Sequence, residues 1–187
     1  MTLKTTGKIL VLLAAVLIAS GTALASSTPR KSEGGVQPLV TAGSDPVMFK
    51  LEKLGGGQVD LKDDLKNKAV ILVFWSLFCG PCQEELPVVD QLYKKLASKD
   101  VVVYAINLDG EKRGKAVEKY MEKQGFKFTV LWEVIDGITY VTADAYGVPG
   151  TPTTILIGKK GKVSYTHVGQ ESFENLEKAV NEALAEK

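Results

Sequence analysis

The chain of 187 residues contains two cysteines, Cys79 and Cys82, which are three positions apart. Thiols at this spacing can form and break an internal disulfide, and the thiolate is the nucleophile in exchange with other disulfides. Three other uses remain open. A structural disulfide here would close a very short loop and so constrain the unfolded chain little. A zinc site would need ligands beyond two cysteines and one histidine, and copper could be held by Cys79, Cys82 and His167.

The two cysteines lie where a predicted strand passes into a predicted helix. The apolar run 69–74 is short and rich in β-branched residues, as is typical of a buried strand. Residues 83–96 carry apolar side chains at helical spacing. Unpaired N–H groups and the positive end of the dipole at a helix N-terminus stabilise an anion. We therefore expect Cys79 to form a thiolate readily, and Cys82, on the same helix face, to attack a mixed disulfide formed there.

The composition is that of an ordinary globular domain. Hydrophobic residues make up 45% of the chain, which is enough for a core. The formal net charge is +1, and this argues against nucleic-acid binding because phosphate contacts require a surplus of basic residues.

The N-terminus predicts export from the cytoplasm. Two lysines precede the apolar run 9–19, and small residues flank a cleavable bond at 23–25, as in a secretory signal peptide covering 1–25. An uncleaved membrane anchor is the alternative, and both place the domain in the periplasm or otherwise outside the cytoplasm. Residues 26–45 are rich in Ser, Thr, Gly and Pro and are predicted to be a flexible linker. The folded domain is then expected over 46–187.

The rest of the chain alternates between strand and helix patterns. A strand, a helix-length crossover and a second strand imply a parallel pair. We predict an α/β domain with a mixed central sheet, helices on both faces and an extra N-terminal β-hairpin; Val134–Thr142 stays unassigned. The predicted elements are a hairpin over 47–54 and 58–61, strands over 69–74, 101–107, 129–132, 153–157 and 162–167, and helices over 83–96, 112–123 and 172–184.

Three motifs carry a resemblance to a known family. The stretch Trp75-Ser76-Leu77-Phe78-Cys79-Gly80-Pro81-Cys82 resembles the active-site signature of the thioredoxin superfamily. The continuation Cys82-Gln83-Glu84-Glu85-Leu86-Pro87 is similar to that of the exported thiol–disulfide oxidoreductases of the TlpA/ResA type. The segment 146–153 resembles the cis-proline segment of the superfamily.

The resemblance implies a thioredoxin-like fold and assigns roles to particular residues. It implies that the Thr151–Pro152 bond is cis and that this turn receives the substrate peptide. It implies that Glu85, one helical turn beyond Cys82, is partly buried with a raised pKa and accepts the proton of Cys82; a solvated helix glutamate is the alternative. Trp75 and Phe78 would cover the disulfide and contact substrate, or else belong to the core.

The resemblance also implies an activity. Cys79 would attack a substrate disulfide and Cys82 would resolve the mixed disulfide, with no cofactor. The Gly80–Pro81 dipeptide is that of thioredoxin, which favours a reductant. A membrane thiol–disulfide carrier would return electrons, apocytochrome c is one expected substrate in cytochrome c biogenesis, and the protein would act as a monomer. The rival functions are a copper metallochaperone of the same fold that uses His167, and a peroxidase.

Overall fold

A mixed five-stranded sheet forms the centre of the protein, in a computed structural model that describes residues 37–65, 68–96 and 100–185 together with Thr2. A 3₁₀ turn over Glu111–Arg113 precedes the third helix. The elements in chain order are β1 (Lys50–Glu52), β2 (Gln58–Asp60), α1 (Leu61–Asp64), β3 (Ala69–Trp75), α2 (Gly80–Leu96), β4 (Val101–Asn107), α3 (Gly114–Gln124), β5 (Thr129–Trp132), β6 (Ile135–Asp136), β7 (Thr139–Tyr140), α4 (Val141–Tyr146), β8 (Thr153–Ile157), β9 (Val163–Val168) and α5 (Phe173–Ala185).

The central strand of the sheet is β3, and the strand order is β5-β4-β3-β8-β9. β3 pairs parallel with β4, and β4 pairs parallel with β5, whereas β8 is antiparallel to both β3 and β9. Every residue of β3 is buried. A strand covered on both faces needs apolar side chains in both directions, which explains why its sequence is a continuous apolar run.

Alternate residues of β3 point to two different cores. Ile71, Val73 and Trp75 pack in one core with α2, α3 and α5. Val70, Leu72 and Phe74 pack in the other with the β1–β2 hairpin, α1 and α4. The predicted α/β architecture, with a mixed sheet, helices on both faces and an N-terminal hairpin, is therefore confirmed.

The N-terminal part of the described chain differs from its prediction. Residues 37–45, predicted to belong to a flexible linker, pack along the domain: Val40 donates to the Tyr146 carbonyl at 3.0 Å and Gly43 to the Val163 carbonyl at 2.8 Å. At Gly147, which has a φ of 69°, a Cβ would come within 2.2 Å of the Pro38 carbonyl oxygen. Only glycine fits such a conformation and such an approach without strain.

The predicted leader lies outside the described residues, apart from Thr2. Within the ranges that the structure describes, none of the helices has the length and apolar character needed to cross a membrane.

The unassigned segment 134–142 forms the β6–β7 hairpin and enters α4. Its base is fixed by Glu133, which is 4% exposed. One carboxylate oxygen of Glu133 accepts the backbone N–H groups of Val134 at 2.8 Å and Thr142 at 3.0 Å, and the other accepts that of Ala143 at 2.7 Å. These bonds occupy donors that the first turn of a helix otherwise leaves unpaired.

Candidate active site

Cys79 and Cys82 form a disulfide with an S–S distance of 2.11 Å. The two sulfurs differ in access, because Cys79 is partly exposed and Cys82 is 1% exposed. Cys82 lies in the first turn of α2, and its backbone N–H points at Cys79 Sγ, with an N–S distance of 3.1 Å. A donor aimed at this sulfur, at the positive end of a 17-residue helix, favours a thiolate at Cys79 once the disulfide is reduced.

The Thr151–Pro152 peptide bond is cis, as predicted. Its loop lies against the disulfide, and the Thr151 carbonyl oxygen is 3.5 Å from Cys79 Sγ. Pro152 is buried, and its own carbonyl accepts the backbone N–H of Gly169 at 2.8 Å. The loop is thus fixed to the end of β9 and presents backbone polar groups beside the more accessible sulfur.

Glu85 lies on α2 one turn beyond Cys82, and its side chain is fully buried. Its Oε1 accepts a long hydrogen bond from the Thr154 hydroxyl, at 3.4 Å, and its Oε2 has no partner among the described residues. Burial raises the pKa of Glu85 to about 7. The Glu171 backbone amide and the Thr154 hydroxyl partly offset this effect of burial, while the Glu171 charge adds to it. The predicted burial and raised pKa are confirmed, and the alternative of a solvated glutamate is wrong.

Trp75 and Phe78, the two aromatic residues predicted to cover the disulfide, have different surroundings. Phe78 is 68% exposed, and the Arg113 guanidinium carbon lies 4.8 Å from its ring centroid. Trp75 is fully buried at the end of β3 and packs on Tyr120, with ring centroids 5.9 Å apart. The assignment of Trp75 to substrate binding is therefore corrected, since its side chain belongs to the core.

Asp109 holds the loop before Cys79 and was missed in the sequence. Its two carboxylate oxygens accept the Ser76 hydroxyl at 2.7 Å, the Leu77 backbone N–H at 2.6 Å and the Asn107 side-chain amide at 2.9 Å. The signal that could have found it is topological. β3 and β4 are parallel, so the residues that follow them meet at the same edge of the sheet.

A groove of about 300 Å³ opens beside the Thr151 carbonyl. It lies between the loop before Cys79 on one side and the β6–β7 hairpin with α4 on the other. Two carboxylates, those of Asp109 and Asp144, line it together with Tyr140 and Pro149.

His167 lies on β9 and contacts Glu171, with 3.4 Å between Nδ1 and Oε2. The copper alternative requires His167 to meet both cysteines. In the described part of the chain, no group of three or more His, Cys, Asp and Glu side chains is arranged to hold a metal ion. The structure thus does not bring the three predicted copper ligands together.

Comparison with known proteins agrees with this site. The model of the AhpC/TSA family matches residues 43–166. The thiol–disulfide oxidoreductase ResA of Halalkalibacterium halodurans is 35% identical over 132 residues, which cover 70% of each chain. ResA of Bacillus subtilis is 40% identical over 124 residues, which cover 66% of this chain and 65% of that protein.

A solved structure agrees as well. The crystal structure of a Chlorobium tepidum protein described as a thiol:disulfide interchange protein DsbE matches with a TM-score of 0.69 and 32% identity, over 78% of this chain and 99% of that one. The active-site disulfide, the cis-proline loop and the buried glutamate all lie within the matched family region. The chain therefore belongs to the AhpC/TSA family and, within it, to the thioredoxin-like thiol–disulfide oxidoreductases.

Proposed function

We propose that this oxidoreductase works outside the cytoplasm as a reductant of protein disulfides, with Cys79 as the attacking thiol and Cys82 as the resolving thiol. The observation that carries the proposal is the difference between the two sulfurs. Cys79 is accessible beside the Thr151 carbonyl, whereas Cys82 is buried next to a carboxyl of raised pKa. The accessible sulfur of Cys79 suits attack on an incoming substrate, and the buried sulfur of Cys82 suits the later attack on the mixed disulfide within the protein.

In the first step the Cys79 thiolate attacks one sulfur of a substrate disulfide. The substrate S–S bond breaks, a mixed disulfide to Cys79 forms, and the other substrate sulfur leaves as a thiolate. The Cys82 backbone N–H and the N-terminus of α2 stabilise the attacking anion. The Thr151–Pro152 loop and the neighbouring groove would position the substrate peptide, with Phe78 as an exposed apolar contact.

In the second step Cys82 gives its proton to Glu85 and attacks Cys79 Sγ. The mixed disulfide breaks, the second substrate sulfur leaves, and the Cys79–Cys82 disulfide forms. Two electrons have then passed from the protein to the substrate. The unpartnered Oε2 of Glu85 is the natural proton acceptor, because a pKa of about 7 lets the group both take up and release a proton near neutral pH.

The physiological setting that we propose follows from the sequence. Residues 1–25 would direct export or remain as an anchor, with a linker up to the segment that packs on the domain at residue 37. A membrane thiol–disulfide carrier would reduce the disulfide again. The substrate that we infer is apocytochrome c, whose disulfide would be reduced to thiols in cytochrome c biogenesis. The protein would act as a monomer.

The equilibrium reduction potential of the Cys79–Cys82 pair tests the direction of electron flow. It can be measured against glutathione or dithiothreitol buffers from Trp75 fluorescence, with Cys82→Ser as the non-cycling control. A value near the roughly −270 mV of thioredoxin supports a reductant, and a value near the roughly −120 mV of DsbA would reverse the assignment. A pair that does not cycle would leave only a structural disulfide.

A further inference from the structure

The β6–β7 hairpin exposes apolar side chains that neither the core nor the turn of the hairpin requires. Eight large hydrophobic side chains of the described chain are exposed, and five of them belong to segment 134–141. Ile138, in the turn between the two strands, is 97% exposed. Two-residue hairpin turns favour Gly, Asn and Asp over a β-branched residue. Exposed apolar side chains that cluster in this way mark interaction surfaces.

Contacts at its base hold the hairpin in one position. The Val141 N–H donates to the Val134 carbonyl at 2.9 Å, and the Glu133 carboxylate binds backbone N–H groups on both sides of the hairpin. Ile135 packs on the chain after β4, so closely that a Cβ at Gly110 would lie 2.8 Å from the Ile135 Cδ1. An ordered surface loses little conformational freedom when a partner binds, and this favours binding.

The hairpin is continuous with the groove beside the disulfide. Tyr140 on β7 is among the exposed apolar residues of the hairpin and lines the groove together with Asp144 and Thr151. The Thr151 carbonyl oxygen lies 3.5 Å from Cys79 Sγ. A peptide whose sulfur reacts with Cys79, and whose chain continues through the groove, therefore reaches Tyr140 and the hairpin.

The groove is negatively charged. The two charged side chains that line it in the described chain are the carboxylates of Asp109 and Asp144. Asp109 already accepts three hydrogen bonds within the protein. Asp144 is exposed and accepts the Tyr140 backbone N–H at 2.9 Å. A carboxylate has lone pairs for more than one donor, so Asp144 can also bind the ammonium or guanidinium group of a peptide.

We propose that the hairpin and the groove form a docking surface for an extended segment of the substrate protein, with an apolar residue of that segment on Ile138 and Tyr140 and a Lys or Arg beside Asp144. The inference rests on the proposed function, because it takes Cys79 as the thiol that meets the substrate. Large apolar side chains are mostly buried in folded proteins. A protein that offers a disulfide with an accessible apolar residue near it is therefore unfolded around that disulfide, and this is the class of substrate that the surface selects.

Two other occupants of the hairpin fit these observations less well. Segment 133–144 contains three carboxylates and no lysine or arginine, whereas anionic membrane surfaces attract basic segments. β6 and β7 have two residues each, which gives a second copy of the chain little strand edge to pair with. The groove, in contrast, connects the hairpin with the attacking sulfur.

The first test compares the rates at which the reduced full chain reduces two peptides. Each peptide has a lysine and one cysteine in a mixed disulfide with thionitrobenzoate. They differ by a leucine or a serine about three to five residues before or after the cysteine, a reach of roughly 10–18 Å in an extended chain. Cys79 attacks the peptide sulfur, thionitrobenzoate leaves as a coloured thiolate, and Cys82 then displaces the reduced peptide. The leucine peptide should react roughly five- to tenfold faster than the serine peptide, in at least one of the two orientations.

Replacing Ile138 shows whether the hairpin causes this preference. In Ile138→Ser the ratio of the two rates should fall toward one, and because it is a ratio, a general change in reactivity cancels. Met48→Ser removes a side chain that is 54% exposed and does not line the groove, and it should keep the wild-type ratio. A wild-type ratio near one in both orientations, or an equal fall in Met48→Ser, would overturn the proposal.

The charge of Asp144 should give a smaller preference that salt weakens. At low ionic strength a peptide with lysine should react roughly two- to threefold faster than one with glutamate in its place. Asp144→Asn keeps an oxygen for the Tyr140 N–H and should remove this preference. Asp63→Asn, at an exposed position on α1, is the matched control and should retain it. A preference for lysine that survives in Asp144→Asn would overturn the role of Asp144.

Binding without turnover separates this inference from the proposed function. Methyl NMR of the isoleucines in the oxidised full chain can follow the addition of the same peptides with serine in place of cysteine. The Ile138 signals should shift with the leucine peptide and stay in place with its serine counterpart. A shift in a protein that reduces no disulfide would remove the proposed function and leave the docking surface. Reduction of both peptides at one rate, with no shift, would do the reverse.

The other two occupants have outcomes of their own. Sedimentation of the full chain over a range of concentrations would show a dimer that Ile138→Ser abolishes if a second copy covers the hairpin. Flotation with vesicles of phosphatidylethanolamine and phosphatidylglycerol would show binding that Ile138→Ser weakens, and Met48→Ser does not, if a membrane covers it. Either result, together with equal rates for the two peptides, would overturn the proposal.

Discussion

Two carboxylates flank the loop and helix that carry the disulfide, and they differ in how many hydrogen-bond donors surround them. On the side of β4, Asp109 accepts from a hydroxyl, a backbone N–H and a side-chain amide. On the side of β8, Glu85 is fully buried and accepts one long bond, with an oxygen that has no partner in the described chain. Asp109 has the environment of a structural group, and Glu85 that of a proton acceptor.

The difference shows how one fold uses the same chemical group in two ways. A carboxylate that accepts from three donors is held in one position and orders the loop that it contacts. A carboxyl that is buried with few donors pays a desolvation penalty when it ionises, and its pKa rises toward neutrality. The number of hydrogen-bond donors around each carboxyl distinguishes the group that orders a loop from the group that can accept a proton.

Replacing Glu85 by Gln should have the largest effect, on turnover. The side chain keeps its size but cannot accept the Cys82 proton, so resolution of the mixed disulfide should slow by about 10²–10⁴-fold. Quenched-flow mass spectrometry should show the Cys79 mixed disulfide accumulating. The rate of Cys79 alkylation is the control, because it reports the first step alone. Unchanged resolution would mean that Glu85 is not the base.

The stability of the oxidised protein should depend on the protonation of Glu85. Its pKa is raised from 4.5 to about 7 in the folded state, so the folded state binds this proton more tightly than the unfolded one. The stabilisation is complete below about pH 4.5 and is lost as pH rises through about 7, a difference of about 3 kcal/mol. Urea unfolding at pH 5 and pH 8 measures it. If Glu85 titrated with an ordinary pKa, the change in the free energy of unfolding between pH 5 and pH 8 would be the same in wild type and in Glu85→Gln.

Replacing Asp109 by Asn should instead affect stability. It leaves donors from the Ser76–Leu77 loop without an acceptor, at a cost of about 1–3 kcal/mol. The midpoint of urea unfolding should fall, while the acid limb of the pH–rate profile keeps its position. Asp136→Asn, on the exposed β6–β7 hairpin, is the matched control and should change little. If the acid limb of the pH–rate profile moved in Asp109→Asn, Asp109 would also influence the proton transfer, and the distinction between a structural Asp109 and a proton-accepting Glu85 would be wrong.

Replacing Thr154 by Val should have the smallest effect of these changes, and it tests how far one hydrogen-bond donor sets the pKa of Glu85. It removes the one hydroxyl that bonds to Glu85 and keeps the shape of the buried side chain. Because that bond lowers the Glu85 pKa, its loss should raise the pKa and move the acid limb up by roughly half a pH unit. An acid limb that stays in place or moves to lower pH in Thr154→Val would contradict this account of the Glu85 pKa.

Much of the site could be predicted because its signals are local. The strand before Cys79, the helix after it and the apolar continuity of β3 follow from neighbouring residues. The cis bond at Thr151–Pro152 and the burial of Glu85 followed from the family motifs. The family and the α/β fold were identified on the same grounds.

What the sequence could not decide depends on pairs of residues that are far apart in the chain. Asp109 meets Ser76 across 33 positions because β3 and β4 are parallel. Trp75 is the last residue of β3, and only its packing against Tyr120 from α3 shows that it points inward.

The chain itself determined the reactive pair and the elements that carry it, because spacing and periodicity are properties of adjacent residues. The tertiary structure decided which carboxyl is free to take a proton. Glu85 meets Thr154 across 69 positions of the chain, and Asp109 meets Ser76 across 33, so the donors around each carboxyl are set by the packing of distant elements. The charge state of a buried carboxyl depends on its surroundings, and these exist only once the chain has folded.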